Sequence, residues 1–105
     1  METLQYRHRT ARRLTGERRQ TLIGVVASGN LEALFERVLG DQECEIDVIT
    51  SIGGYGEVWA AVIADFIERY SPGGLRISIH DAGARPDTVA LRLAQGARRM
   101  ERAGA

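Results

Sequence analysis

No lysine occurs among the fourteen basic residues, and Cys44 is the single cysteine. One cysteine excludes an intramolecular disulfide framework and any multi-cysteine metal centre, and no metal site is expected. The glycine-rich stretch Gly53-Gly54-Tyr55-Gly56 is not followed by the Lys-Ser/Thr of a phosphate-binding loop, and its spacing fits neither nucleotide motif. His8 and His80 are the only histidines, so nucleophilic catalysis has few bases to draw on. Long apolar runs are absent as well, which excludes a helix that crosses a bilayer. The N-terminus is too polar for a signal-peptide core. A cytoplasmic protein without membrane contact is the expectation. Aromatic residues make up 6% of the chain and the net charge is zero. Both argue against a nucleic-acid partner, which calls for stacking platforms and a positive surface.

The chain has 105 residues, the length of one domain with a modest core, and is read as a single unit over 1–105. Its charge is segregated. Residues 1–20 hold six Arg against two Glu, 30–70 hold two Arg against nine acids, and 71–105 hold six Arg against three acids. Residues 8–19 carry no hydrophobic period and read as a mobile, Arg-rich loop. Solvated faces account for such blocks in most proteins. The sharper alternative is an interaction module whose Arg-rich ends, including Arg7, Arg9, Arg12, Arg13, Arg18 and Arg19, meet a polyanion or an acidic surface.

Hydrophobic periodicity predicts strands over 3–7, 20–27, 44–51 and 75–80, and helices from about Glu57 to Tyr70 and from Pro86 onward. The run at 20–27 reads as a buried strand. Residues 31–38 fit either a helix or a strand, and the turn before them favours a hairpin partner. Cys44, Ile46 and Val48 alternate with Glu45 and Asp47, the pattern of a half-buried strand with an acidic outer face. Arg76 is placed to pair across strands with Glu45 or Asp47. The first helix has a wide apolar stripe from Val58 to Tyr70 and stops at Ser71-Pro72-Gly73-Gly74. The second begins with Pro at its first position. Val89, Ala90, Leu93, Ala97 and Met100 form its inner stripe, and Gly96 weakens it by about 1 kcal/mol relative to Ala. Strand-rich sequence followed by helix, strand, helix predicts an α+β two-layer domain: a mostly antiparallel sheet with two helices on one face.

Ser28 stands out among candidate functional residues. It follows Leu22-Ile23-Gly24-Val25-Val26-Ala27 and precedes Gly29-Asn30, a strong turn pair. The residues leave three readings open: a turn serine bonded to its own backbone, a nucleophile, or an acceptor for a covalently attached group. The nucleophile reading lacks the Gly-x-Ser-x-Gly elbow. Gly29, without a side chain, leaves steric access to the hydroxyl. His80-Asp81 reads as a strand end, with Asp81 closing the turn toward Pro86 and His80 on the wet face. Cys44 reads as a buried, inert thiol, and Trp59 and Tyr70 as core.

The segment Leu22–Leu34 resembles the attachment segment of the acyl carrier (delta) subunits of malonate decarboxylase, which usually show Val-Val-Gly-Ser-Gly-Asp-Leu-Glu there. Val48-Ile49-Thr50-Ser51-Ile52 with Trp59 agrees with the same family. So do His80-Asp81-Ala82-Gly83-Ala84-Arg85-Pro86 and Leu91-Arg92-Leu93-Ala94-Gln95-Gly96. Ala27 stands where the family commonly has Gly, and Asn30 where it has Asp. The resemblance implies a carrier without catalytic residues of its own. It implies that Ser28 bears a 2'-(5''-phosphoribosyl)-3'-dephospho-CoA arm through a phosphodiester, added by a separate prosthetic-group transferase. It further implies that acetyl and malonyl thioesters on the arm are presented to a transferase-type alpha subunit and to decarboxylase beta and gamma subunits. The citrate-lyase gamma carrier, which bears the same kind of arm, is the nearest alternative.

Overall fold

The computed structural model describes residues 1–24 and 30–102. The elements in chain order are β1 (Glu2–Arg9), β2 (Gln20–Ile23), β3 (Leu31–Arg37), β4 (Glu43–Thr50), α1 (Gly56–Tyr70), β5 (Leu75–Asp81) and α2 (Pro86–Glu101). The strands form one sheet in the order β1-β4-β5-β3-β2. Three of its pairings are antiparallel, and the central pair, β4 with β5, is parallel. Parallel neighbours need a crossover connection, and α1 supplies it. The fold is the expected α+β architecture.

Alternation sets the two faces. Cys44, Ile46 and Val48 of β4, Leu75, Ile77 and Ile79 of β5, and Leu31, Ala33 and Phe35 of β3 are buried against Trp59, Ile63, Phe66, Val89, Leu93, Ala97 and Met100 of the helices. Each large side chain so buried contributes about 1.5–3 kcal/mol. On the open face the register aligns Arg7, Glu45, Arg76 and Glu36 across four strands. Glu45 reaches Arg7 at 3.3 Å and Arg76 at 3.9 Å. That confirms the Arg76–Glu45 pairing, which is worth only a few tenths of a kcal/mol on a wet surface.

The structure decides one open reading and corrects other expectations. Residues 31–37 are a strand, paired antiparallel with β2 as the hairpin reading favoured. β2 is shorter than the expected run at 20–27: Gly24 is not part of the strand, and residues 25–27 lie outside the described residues. It ends at Ile23, lies at the sheet edge, and leaves Leu22 half exposed. Gly24 follows with φ of 79°, a conformation that leaves the strand region. On α2, Ala90 faces solvent and Ala94 takes a place on the buried side. Gly96 is there because the ring of Phe35 occupies the space where a Cβ would stand. α1 ends in a left-handed residue that is Ser71, not a glycine. Its hydroxyl accepts from the Arg12 N–H at 3.1 Å and donates to the Arg12 carbonyl at 3.2 Å, which holds it there.

Of residues 8–19, His8 and Arg9 belong to β1. The rest is tied to its surroundings. Leu14 is buried and donates its N–H to the Gly73 carbonyl, and the Thr10 N–H bonds the Gln42 carbonyl. Arg37 reaches under the segment. Its guanidinium donates to the carbonyls of Leu14 at 2.6 Å, Arg18 at 3.0 Å, Thr15 at 3.3 Å and Met100 at 2.9 Å. Burial, followed by the charge of Arg13, lowers its pKa from the usual arginine range.

Candidate functional site at one end of the sheet

Ser28 and Gly29, the residues singled out from the sequence, lie outside the described residues. The structure does fix what flanks them. Gly24 precedes the segment and Asn30 follows it, and both have positive φ, 79° and 58°. Gly24 cannot carry a side chain, because a Cβ there would meet the Leu31 carbonyl. Asn30 is one of the residues that tolerate the left-handed region. Its carbonyl accepts the Ala82 N–H at 2.9 Å, and Leu31 pairs with Asp81. Both flanking residues therefore lie at the end of the sheet where β4 and β5 also finish.

Asp81 organises that end. It is buried, and its carboxylate accepts the Thr50 hydroxyl at 2.8 Å, the Gly83 N–H at 3.1 Å and the Ala84 N–H at 2.8 Å. Thr50 Oγ1 in turn accepts the Ile52 N–H at 3.1 Å. One carboxylate thus satisfies the turn that leads into α2, as its sequence position suggested. Strand alternation sends the neighbouring His80 to the opposite face, where its Nδ1 lies 3.9 Å from Glu32 Oε1. The two side chains do not converge on one point, so they form no acid–base pair.

Beside this turn lies an apolar hollow of about 380 Å³ between the helices, lined by Ile52, Tyr55, Val58, Trp59, Ala84 and Val89 among others. Trp59 is buried, as its place on the helix stripe implied, whereas Tyr55, Ile52 and Val58 remain substantially exposed. Tyr6 sets the start of α1 by donating its hydroxyl to the Gly56 carbonyl at 3.0 Å. Burial, with the charge of Glu2 as a smaller cause, raises its pKa. The other side of α2 is different in character. There Ile23, Gly24, Gln95, Arg92, Arg98, Arg99 and Arg102 line a groove of about 370 Å³.

Cys44 sits in the core, away from both hollows, and burial followed by the charge of Glu45 pushes its thiol up to about 12. It is protonated and inert at neutral pH. Among the described residues no three His, Cys, Asp or Glu side chains converge as metal ligands. No helix there is long and apolar enough to cross a membrane. The sequence reading missed the apolar hollow, the arginine groove and the Arg37 anchor. Each is assembled from residues far apart in the chain. The exposed apolar residues Ile52, Tyr55 and Val58, placed around a glycine-rich connection, were the one signal that could have pointed to the hollow.

Residues 18–100 match the family described as malonate decarboxylase delta subunit (MdcD). A malonate decarboxylase acyl carrier protein of Bradyrhizobium diazoefficiens is 61% identical over 104 residues, covering 99% of each chain. One from Xanthomonas axonopodis pv. citri is 48% identical over 95 residues, 90% of each. A chain in the crystal structure of a Pseudomonas malonate decarboxylase hetero-tetramer in complex with malonate superimposes with a TM-score of 0.82 at 35% identity. The match covers 95% of this chain and 99% of that one. The family match spans most of the chain and the relatives agree with it, and the chain belongs to the malonate decarboxylase delta subunits, the acyl carrier proteins of that system.

Proposed function

We propose that this chain is the carrier subunit of a malonate decarboxylase assembly, with Ser28 as the anchor of a phosphoribosyl-dephospho-CoA arm. The observation that carries the reading is the family match over residues 18–100, a span that includes Ser28. When attached, the arm supplies a thiol on which acetyl and malonyl groups are held as thioesters. The chain's own contribution is to offer a hydroxyl between two fixed turn residues, Gly24 and Asn30, with Gly29 beside it to leave access. An unactivated serine is a poor nucleophile, so the base and the charge neutralisation for attachment must come from a separate transferase. Tethering raises the effective concentration of the carried group at each partner site. The partners in this reading are a transferase-type alpha subunit and decarboxylase beta and gamma subunits, in the cytoplasm.

The surroundings suit such a group. An apolar hollow on one side of α2 and an arginine groove on the other match an arm that is anionic near the protein and uncharged toward its thiol. Intact mass of the chain co-expressed with its modifying enzymes tests the reading. A gain of one phosphoribosyl-dephospho-CoA, absent in Ser28→Ala, is the expected result. Malonate turnover by a reconstituted assembly containing Ser28→Ala would overturn it.

A further inference from the structure

Arg92, Arg98, Arg99 and Arg102 line one groove with Gln95, Ile23 and Gly24. Among the described residues none of the four makes an ion pair with a carboxylate, although Arg7, Arg69, Arg76 and Arg85 elsewhere on the surface do. Arg98, Arg99 and Arg102 sit at the C-terminus of α2, where cations complement the macrodipole, and that placement explains them in part. It does not explain Arg92, which lies near the middle of the helix. The Arg92 Nε is buried and has no hydrogen-bond partner among the described residues. Its Nη1 donates to Gln95 Oε1 at 3.2 Å, which turns the guanidinium along the groove. Arg99 is steered toward the same groove, its Nη1 lying 3.4 Å from the Leu22 carbonyl of the sheet edge. Four guanidinium groups in one groove repel one another, and a buried Nε–H without an acceptor is destabilising. A multivalent anion removes both penalties, and planar guanidinium forks match phosphate oxygens.

We infer that this groove is a phosphoanhydride site that holds the diphosphate of the coenzyme arm carried by the same chain. The inference rests on the proposed attachment at Ser28. Position favours the arm over a free nucleotide, since Gly24, which lines the groove, is four residues before Ser28 in the chain. Only a glycine fits at that wall. A Cβ at Gly24 would meet the Leu31 carbonyl and come 3.7 Å from Arg92 Nε.

Titration of the unmodified, isotope-labelled chain with inorganic pyrophosphate, read on the arginine Nε–H resonances, tests the site. The expected result is a saturable shift of the Arg92 signal that weakens as salt is raised. In the double variant Arg98→Gln/Arg99→Gln the affinity should fall about tenfold or more, with the Arg69→Gln control unchanged. The arm-loaded chain should show the Arg92 signal already shifted and should not respond to added pyrophosphate. Equal weakening in Arg69→Gln, or no shift at Arg92, overturns the site. A loaded chain that binds pyrophosphate as well as the unmodified one overturns the assignment to the tethered arm and points to free polyphosphates. If co-expression yields no mass gain, the Ser28 reading fails by itself, while the pyrophosphate titration still decides whether the groove takes a phosphoanhydride.

Discussion

Gly96 of α2 lies directly over the ring of Phe35 in β3, so close that a methyl group at Gly96 would overlap the ring carbons. Both residues are buried. The pair sets how closely α2 rests on the sheet, and therefore where Arg92 and Arg99 stand relative to the β2 edge.

Gly96→Ala should destabilise the protein despite the helix propensity of alanine. Propensity favours Ala by about 1 kcal/mol, whereas forcing a methyl into a filled core costs about 1–3 kcal/mol or more. The clash should win. Urea denaturation should show a lower midpoint for Gly96→Ala. Adding Phe35→Leu should recover part of the loss, because the smaller side chain vacates the overlapped space. Additive losses in the double variant would show that the two residues are not coupled.

Asp81→Ala should cost about 2–3 kcal/mol, since it strands the Thr50 hydroxyl and two turn N–H groups that the carboxylate accepts. Thermal unfolding measures the loss. His80→Ala, on the open face, should leave the melting temperature within about 1–2 °C of the parent. A larger effect at His80 than at Asp81 would reverse the assignment of roles.

The Cys44 thiol, pushed up to about 12 in the fold, links stability to alkaline pH. The unfolded thiol ionises near pH 8.5–9. The unfolded chain therefore loses its proton first, and stability present below that pH declines as pH rises toward the folded value. The slope approaches about 1.4 kcal/mol per pH unit. Between about pH 9 and 10 the parent should lose stability more steeply than Cys44→Ala, which will be less stable at pH 7 but flatter. Iodoacetamide at pH 8 should label Cys44 only once urea has opened the fold. Rapid labelling of the native chain would contradict its burial.

Arg37→Gln removes the guanidinium that binds four carbonyls across residues 14–18 and the end of α2. Hydrogen exchange at Leu14, whose N–H bonds the Gly73 carbonyl, should accelerate by about tenfold or more, as for the loss of one to two charged hydrogen bonds. Exchange in β4 should change much less. Uniform acceleration throughout the sheet would mean that Arg37 supports global stability and does not locally anchor the N-terminal segment.

Alternation at Cys44–Val48 and Leu75–Ile79, the apolar stripe of α1 and the proline at the start of α2 were legible in the chain. Each follows from a repeat of two or 3.6 residues that any short window contains. Asp81 as a turn-closing residue was legible for the same reason, since its partners at 83 and 84 are local. The candidate attachment residue was marked by its place before a turn pair, but the acceptor reading came forward only through resemblance, because a serine before a glycine has no chemistry that sets that role apart. The parallel pairing of β4 with β5, the edge position of β2, the need for glycine at 96 and the groove formed by Arg92, Arg99 and Gly24 came from packing. They depend on which distant segments meet, and the free energy of those contacts belongs to surfaces that no stretch of sequence carries alone.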